Sequence, residues 1–275
     1  MKLPDIQDLK CEEHRLLYEH DLKEYFCSNA HDFFANFYRH RFRFVDRVLE
    51  GCYLEKKNSD KSQFKILDVG CAQGNFSLSW AEKGFDVTGL DLRKDFLSYA
   101  MLKYEKGLFL PVVGSVESLP FLDDSFDFVF AGELIEHVAE PLQLIQELKR
   151  VCKSDGCILL TTPNGNRLFQ KLPHYSQVHG SSDLKQQQFK PDADGHLFLM
   201  TKSELCAEGK KAGLHLEKHQ FFAAPWVTGR MGWRFIFKKF YGPLAVFLDA
   251  LFMRLPLIAG MIADNHLVLL RKKMQ

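Results

Sequence analysis

The chain has 275 residues, 46% of them hydrophobic, which is enough for one full core and within the usual length of a single α/β domain. Its 36 basic and 35 acidic residues leave a formal net charge of +1, so no global field gathers polyanions and broad nucleic-acid binding is not indicated. The seven cysteines, at 11, 27, 52, 71, 152, 157 and 206, form no CxxC pair, which argues against a zinc knuckle or a disulfide scaffold and for reduced thiols in the cytoplasm.

The N-terminus turns acidic and polar directly after Met1-Lys2-Leu3-Pro4, unlike a signal peptide. Residues 5–26 read as a charged helix anchored by Leu9, Leu16, Leu17 and Leu22. Residues 30–51 read as a second helix, dense in Phe33, Phe34, Phe37, Tyr38 and Phe42, with Arg39, Arg41, Arg43 and Arg47 interleaved. Its rings are ordinary core or one wall of a pocket. Lys56–Ser62 is a polar linker with turn chemistry.

From Phe64 to about Cys152 strand and helix patterns alternate, which predicts a parallel sheet covered by helices. The first strand, Ile66-Leu67-Asp68-Val69, runs into a loop with small residues at its first, third and fifth positions, Gly70, Ala72 and Gly74, and then into a helical pattern. Such a strand–turn–helix brings backbone N–H groups against a cofactor. A dinucleotide fingerprint wants its third small residue at the sixth position, here Asn75, and no Lys-Ser/Thr follows, so a triphosphate P-loop is excluded. The second strand, Phe85–Leu90, ends at Asp91, placed to accept from ribose hydroxyls.

Residues 164–198 lack periodicity and are rich in Asn, Gly, Ser, Gln and Pro. A loop of that length is usually functional or mobile. Helical pattern returns over Thr201–Ala212, Leu214–Phe221 alternates as a strand, and Asn265–Leu270 is a final strand. Between these strands, Arg230, Arg234 and Lys238 recur on one helical stripe, with Trp233, Phe237 and Phe240 on another. Leu244–Ala263 is mostly apolar but interrupted by Asp249, Arg254 and Pro256, too short a run to span a bilayer. The insert 230–262 is open to three readings: helices packed on the sheet edge, a lid over an apolar acceptor, or an interfacial element in peripheral contact with a membrane.

The glycine loop and Asp91, with three later stretches, make the chain resemble class I S-adenosylmethionine-dependent methyltransferases. Gly114-Ser115-Val116-Glu117-Ser118-Leu119-Pro120-Phe121 resembles the family's adenine-side loop, Ser125–Phe130 its fourth strand, and Gly156–Asn164 its fifth strand and exit loop. The resemblance implies a doubly wound, mostly parallel, Rossmann-like sheet of seven strands in one domain. Residues 1–62 would be a helical cap, 63–163 the cofactor core, 164–200 an acceptor-side loop, and 201–275 a C-terminal part holding the insert. It implies S-adenosyl-L-methionine as cofactor, held by Asp68, Gly70, Cys71, Ala72, Gly74, Asp91, Leu92, Ser115, Val116 and Ala131. Ala72 stands where the family has a middle glycine. Ser115 stands where an acid commonly accepts from the adenine amino group, leaving the Val116 N–H to serve.

A second constellation, Gly132-Glu133-Leu134-Ile135-Glu136-His137-Val138, follows the fourth strand, where ligands of open α/β sheets bind. On one helical turn Glu133, Glu136 and His137 would project to one side, and His196 could join them from beyond the long loop. This pattern is similar to ubiquinone-type O-methyltransferases and to small-RNA 2′-O-methyltransferases that use magnesium or manganese. A divalent cation on these four residues, a metal-free role with His137 and Glu133 as catalytic groups, and a structural role all remain open. The expected function is methylation of oxygen on an apolar or amphipathic small molecule, such as a lipid, quinone or sugar-containing metabolite. Its rivals are an RNA 2′-O-methyltransferase and a protein that binds the cofactor without catalysis.

Overall fold

The run Ile66–Val69 is buried on both faces, as a central parallel strand requires, and becomes β1 (Lys65–Val69). It is flanked by β2 (Asp86–Asp91), then β3 (Leu108–Val113), and on its other side by β4 (Phe126–Gly132), then β5 (Cys152–Pro163). All five pair in parallel. β6 (Leu214–Phe222) forms the far edge, and β7 (Asn265–Lys272) inserts between it and β5, antiparallel to both. The strand order is 3-2-1-4-5-7-6, the mostly parallel seven-strand sheet expected. Strand order reverses between β1 and β4, so a crevice opens beyond their C-terminal ends. This computed structural model describes residues 1–29, 32–56, 60–180, 182–188, 195–228 and 243–273.

Among the described residues the α-helices before β6 are α1 (Glu12–Lys23), α2 (Phe33–Glu55), α3 (Asn75–Glu82), α4 (Lys94–Lys103), α5 (Pro141–Val151), α6 (Tyr175–Val178), α7 (Ser182–Gln187) and α8 (Lys202–Lys211). α1 begins at Glu12, later than the expected residue 5, and residues 6–8 form only a 3-10 turn. α2 begins where the Asp32 side chain accepts from the Ala35 N–H at 2.9 Å. α8 starts on a capping box between Thr201 and Glu204. The long loop is less irregular than expected, since it contains α6 and α7. His174, at its start, is pinned by a 2.8 Å bond between Nε2 and the Gly165 carbonyl.

The sheet separates two apolar layers. On one face α2 contributes Val45, Val48, Leu49 and Cys52 against Trp80, Phe85, Phe128 and Phe222. Trp80 is fully buried, and its indole N–H donates to Asp46 of α2 at 2.8 Å. Truncating such a ring costs about 3–5 kcal/mol, so this contact fixes how the cap helix sits on the core. On the other face α5 and α8 close over Leu67, Val129, Ile158 and Leu270.

The insert is partly in view. Arg230, Arg234, Lys238, Trp233, Phe237 and Phe240 lie outside the described residues. The helices Pro243–Phe252 and Pro256–Ile262 and the turn between them pack Leu248, Phe252, Met253 and Ile262 on Ala224, Trp226 and Val227. Asp249, which interrupts the apolar run in sequence, is not at the surface. It is buried, with Oδ2 2.7 Å from His40 Nε2 of α2 and Oδ1 accepting from the Ala224 N–H.

Candidate functional site

The glycine loop takes a conformation that explains its residues. Gly70, Ala72 and Gly74 all have positive φ, at 70°, 47° and 74°. A Cβ at Gly70 would stand 2.9 Å from Leu134. Ala72 pays on the order of 1–2 kcal/mol for its left-handed backbone. Its N–H is fastened at 2.8 Å to Asp91 Oδ2, while Oδ1 accepts from the Arg93 N–H at 2.9 Å. Asp91 therefore shapes the loop and also ends β2 beside it. Burial raises its pKa, against the pull of those amide bonds.

Asp68, at the end of β1, is buried and accepts from Ser77 Oγ at 2.6 Å. Burial pushes its pKa up to about 7, with the Ser77 bond and the Arg41 charge opposing. Cys71 is buried in the loop and its thiol is driven well above its usual pKa, again by burial, so it is filler and no nucleophile. Leu92 is half exposed and Val116 and Ala131 are buried, while the Ser115 hydroxyl accepts from the Glu117 N–H at 3.2 Å.

A cavity of about 210 Å³ opens in the crevice, floored by Asp68, Gly70, Cys71 and Ala72 and bordered by Gly132 and Glu133 at the end of β4. Its roof is α2, through Tyr38, Arg41 and Phe42. Of the expected cofactor residues, Gly74, Asp91, Leu92, Ser115, Val116 and Ala131 do not line this enclosed part. Asp91 and the 114–116 loop are joined by the bond from the Gly114 N–H to the Asp91 carbonyl at 3.0 Å.

Arg41 lines the cavity and was not singled out from the sequence. It is 8% exposed, sits over the Phe76 ring at 5.4 Å, and its Nε has no hydrogen-bond partner. A Cβ at position 132 would come within 2.6 Å of its guanidinium, so only glycine there lets it reach the end of β4. The nearest acid is Glu133, whose Oε1 is 3.9 Å away and also without a hydrogen-bond partner. A buried, incompletely satisfied guanidinium facing a cavity fits a bound carboxylate. The available signal was the crowd of arginines in an aromatic helix, but four arginines share that pattern and only the fold selects one.

The acid–histidine constellation is assembled differently from the expected helical face. Glu133 has a φ of 53°, and only Ile135–His137 forms a 3-10 turn. Glu133 is thereby turned towards Arg41 and Asn265, whose Nδ2 donates to Oε2 at 2.6 Å. It does not join the other three candidate ligands. Glu136, His137 and His196 do come together, each offering a ligand atom within 4.8 Å of the others. Glu136 is fully buried, with one oxygen accepting from Thr162 Oγ1 at 2.9 Å. Its other oxygen has no hydrogen-bond partner and lies 3.9 Å from His196 Nε2. Burial, then the Glu133 charge, raises the Glu136 pKa well above the carboxylate range. Burial, then His196, lowers that of His137 to about 4, so both groups favour their neutral forms without a cation between them. The long loop returns as expected: the Leu197 N–H donates to the Glu136 carbonyl at 2.8 Å.

A buried network also escaped the sequence. Lys103 of α4, with no exposed surface, donates to Asp21 of α1 at 2.7 Å and to Asn75 Oδ1, while Asn75 Nδ2 donates to Asp21 at 2.8 Å. Asn75 lines the cavity, so α1 is clamped to the cofactor loop. Removing one partner of such a buried pair costs about 3–5 kcal/mol.

Residues 67–160 match the methyltransferase domain family. The chain is 31% identical over 153 residues to a ubiquinone biosynthesis O-methyltransferase of Aeromonas salmonicida, covering 54% of this chain and 62% of that protein. It is 32% identical over 120 residues to a malonyl-[acyl-carrier protein] O-methyltransferase of Erwinia pyrifoliae, covering 44% and 45%. The chain thus spans about half the length of these curated relatives. Among solved structures, the [4+2]-cyclase SpnF is similar with a TM-score of 0.55 at 18% identity, over 85% of this chain and 81% of that one. At that identity the likeness concerns the fold alone, and a fold does not fix a reaction.

Proposed function

Starting from a class I S-adenosylmethionine-dependent methyltransferase domain over residues 67–160, we propose that the protein transfers the methyl group to an oxygen of an apolar or amphipathic small molecule, assisted by a divalent cation on Glu136, His137 and His196. The cofactor supplies a methyl group already made electrophilic by its sulfonium, so the protein's work is position, in-line geometry and exclusion of water. Arg41 would bind the methionyl carboxylate, the Gly70–Gly74 loop would admit the chain of the amino acid, and Asp91 would accept from the ribose hydroxyls. Ser115 and the Val116 N–H would meet the adenine edge, with Leu92 and Ala131 as its apolar surroundings.

The observation that carries the choice of oxygen is the meeting of His196 with Glu136 and His137 on the turn after β4, the strand whose end borders the cavity at Gly132 and Glu133, with an unpartnered buried carboxylate oxygen among them. Two imidazoles and a carboxylate suit manganese or zinc better than magnesium, which prefers oxygen ligands, and ligation would satisfy the buried carboxylate and the neutral imidazoles together. A cation there would lower the pKa of an acceptor hydroxyl before attack. Glu133, held by Asn265 and near Arg41, would border the acceptor and is not proposed as a ligand.

The test is transfer of radiolabelled methyl from S-adenosylmethionine to alkyl-substituted catechols, with chelator and then with magnesium or manganese restored. Metal-restored transfer to the catechol oxygen supports the reading. Full turnover in chelator removes the cation and leaves His137 as a metal-free base. Transfer only to an RNA terminus, weakened by salt, supports the RNA alternative. Tight cofactor binding with no transfer to any acceptor supports a non-catalytic role.

A further inference from the structure

The edge of the sheet that carries the site also carries an apolar surface. β6 ends at Phe222 and β7 begins at Asn265, which pairs with both Phe222 and Pro163, so the connection between them lies at the C-terminal end of β5. The helices Pro243–Phe252 and Pro256–Ile262 occupy part of that connection. Their inner side chains are packed, as described above. Their outer side chains are not polar, as those of a surface helix in a soluble protein should be. Phe247 is 62% exposed, Leu257 86%, and Leu251, Leu255 and Met261 are each exposed by nearly half. The patch continues into the acceptor-side loop, where the Leu168 N–H donates to the Met261 carbonyl at 2.8 Å and the Phe169 ring is 76% exposed. Phe169 is held there with a φ of 60°, an unusual conformation for a bulky residue. Contiguous exposed apolar groups of this kind mark interaction surfaces.

Charge selects the occupant. In sequence, residues 225–263 hold Arg230, Arg234, Lys238, Lys239 and Arg254 against a single acid, Asp249, and of these basic residues Arg254 is among the described ones. That acid is buried against His40 and the Ala224 N–H and contributes nothing to the surface. Arg254, next to Leu255, and Lys171, two residues after Phe169, are exposed. A second copy docked face to face would set like charges against each other. An anionic lipid surface would neutralise them while taking up the apolar groups. Among the described residues no helix is long and apolar enough to cross a membrane, so contact would be at the interface.

We propose that residues 247–261, with Leu168 and Phe169, form a peripheral docking surface for anionic phospholipid membranes. Docking would set the site-bearing edge of the sheet against the lipid. The inference rests on this surface and not on the reaction proposed above.

The experiment is flotation of the full chain with vesicles of phosphatidylcholine alone and of phosphatidylcholine mixed equally with phosphatidylglycerol. The wild type should float with the mixed vesicles, less so at high salt, and hardly with phosphatidylcholine alone. Leu257→Asp and Phe169→Asp, both at exposed positions, should each reduce partitioning by roughly tenfold or more, as loss of one buried apolar anchor implies. Both variants should keep wild-type cofactor affinity, which confirms that they fold. The proposal is overturned if the wild type floats with neither vesicle, if it floats equally with both, or if both variants float as the wild type does. It is equally overturned if sedimentation shows a wild-type dimer that Leu257→Asp dissociates, without any vesicle binding.

Discussion

Replacing Arg41 by Met keeps much of the aliphatic stem and removes the guanidinium, which lies over the Phe76 ring. The guanidinium is 8% exposed in the folded chain, so most of its desolvation has already been met on folding, and its Nε lacks a partner. A hydrogen bond involving a charged group contributes about 1.5–3 kcal/mol, and the prior burial places this one in the upper half, at roughly 2–3 kcal/mol. At 1.4 kcal/mol per decade this is roughly a 30- to 150-fold loss of affinity. The assay is calorimetric titration with two ligands, S-adenosylhomocysteine and methylthioadenosine, which differ by the amino-acid moiety. Arg41→Met should weaken the first by that factor and leave the second within about twofold, and Arg41→Lys should fall between, since it keeps the charge but loses the planar fork. Equal losses for both ligands would show that Arg41 acts only through the fold of the cap, and an unchanged affinity for S-adenosylhomocysteine would refute the assignment outright.

Asp91→Ala should cost cofactor affinity on the order of 1–3 kcal/mol, and should also lower the melting temperature, because the Ala72 and Arg93 amides lose their acceptor. Ala72→Gly should raise stability by up to about 1 kcal/mol in denaturant titration, since glycine adopts the left-handed loop backbone without strain, and a loss of stability would contradict that reading. Asp68 has a folded pKa of about 7, above its unfolded value, so its contribution to stability is complete at acid pH and is lost as pH rises through about 7. Asp68→Asn should therefore flatten the fall of melting temperature between about pH 4 and pH 7, and an unchanged slope would assign the proton elsewhere. His196→Ala should weaken manganese binding severalfold in calorimetry, while His174→Ala, which loses only the bond to the Gly165 carbonyl, should not.

What the sequence made legible were features set by local pattern. Apolar runs closed by turn residues located β1, β2 and β7, because a strand buried on both faces must be continuously apolar, whereas β4 and β5 were placed by the family resemblance. The glycine loop was legible from its small residues at 70, 72 and 74, but the left-handed backbone of Ala72 was not, because alanine carries no signal for it. Features that depend on distant partners were not. Asp249 read as an interruption of an apolar run, since its acceptor role is defined by His40, 209 residues away. Glu133 read as a ligand because an i, i+3, i+4 spacing presumes a helix, whereas its positive φ turns it towards Asn265, 132 residues on. Arg41 shared its helix with other arginines, and only the approach of α2 to Gly132 set it apart. Lys103, Asp21 and Asn75 lie on three different helices, and each alone looks like a surface residue.

The central claim joins a cofactor pocket under Arg41 to a cation held by Glu136, His137 and His196. It is tested most directly by crystals grown with S-adenosylhomocysteine and manganese, measured for anomalous scattering at the manganese edge. The account expects one anomalous peak bonded to the Glu136 carboxylate and the two imidazoles at about 2.0–2.3 Å, with the homocysteine carboxylate on Arg41 and its sulfur facing the ion across the acceptor space. A pocket filled by S-adenosylhomocysteine with no anomalous peak among these three residues would contradict it.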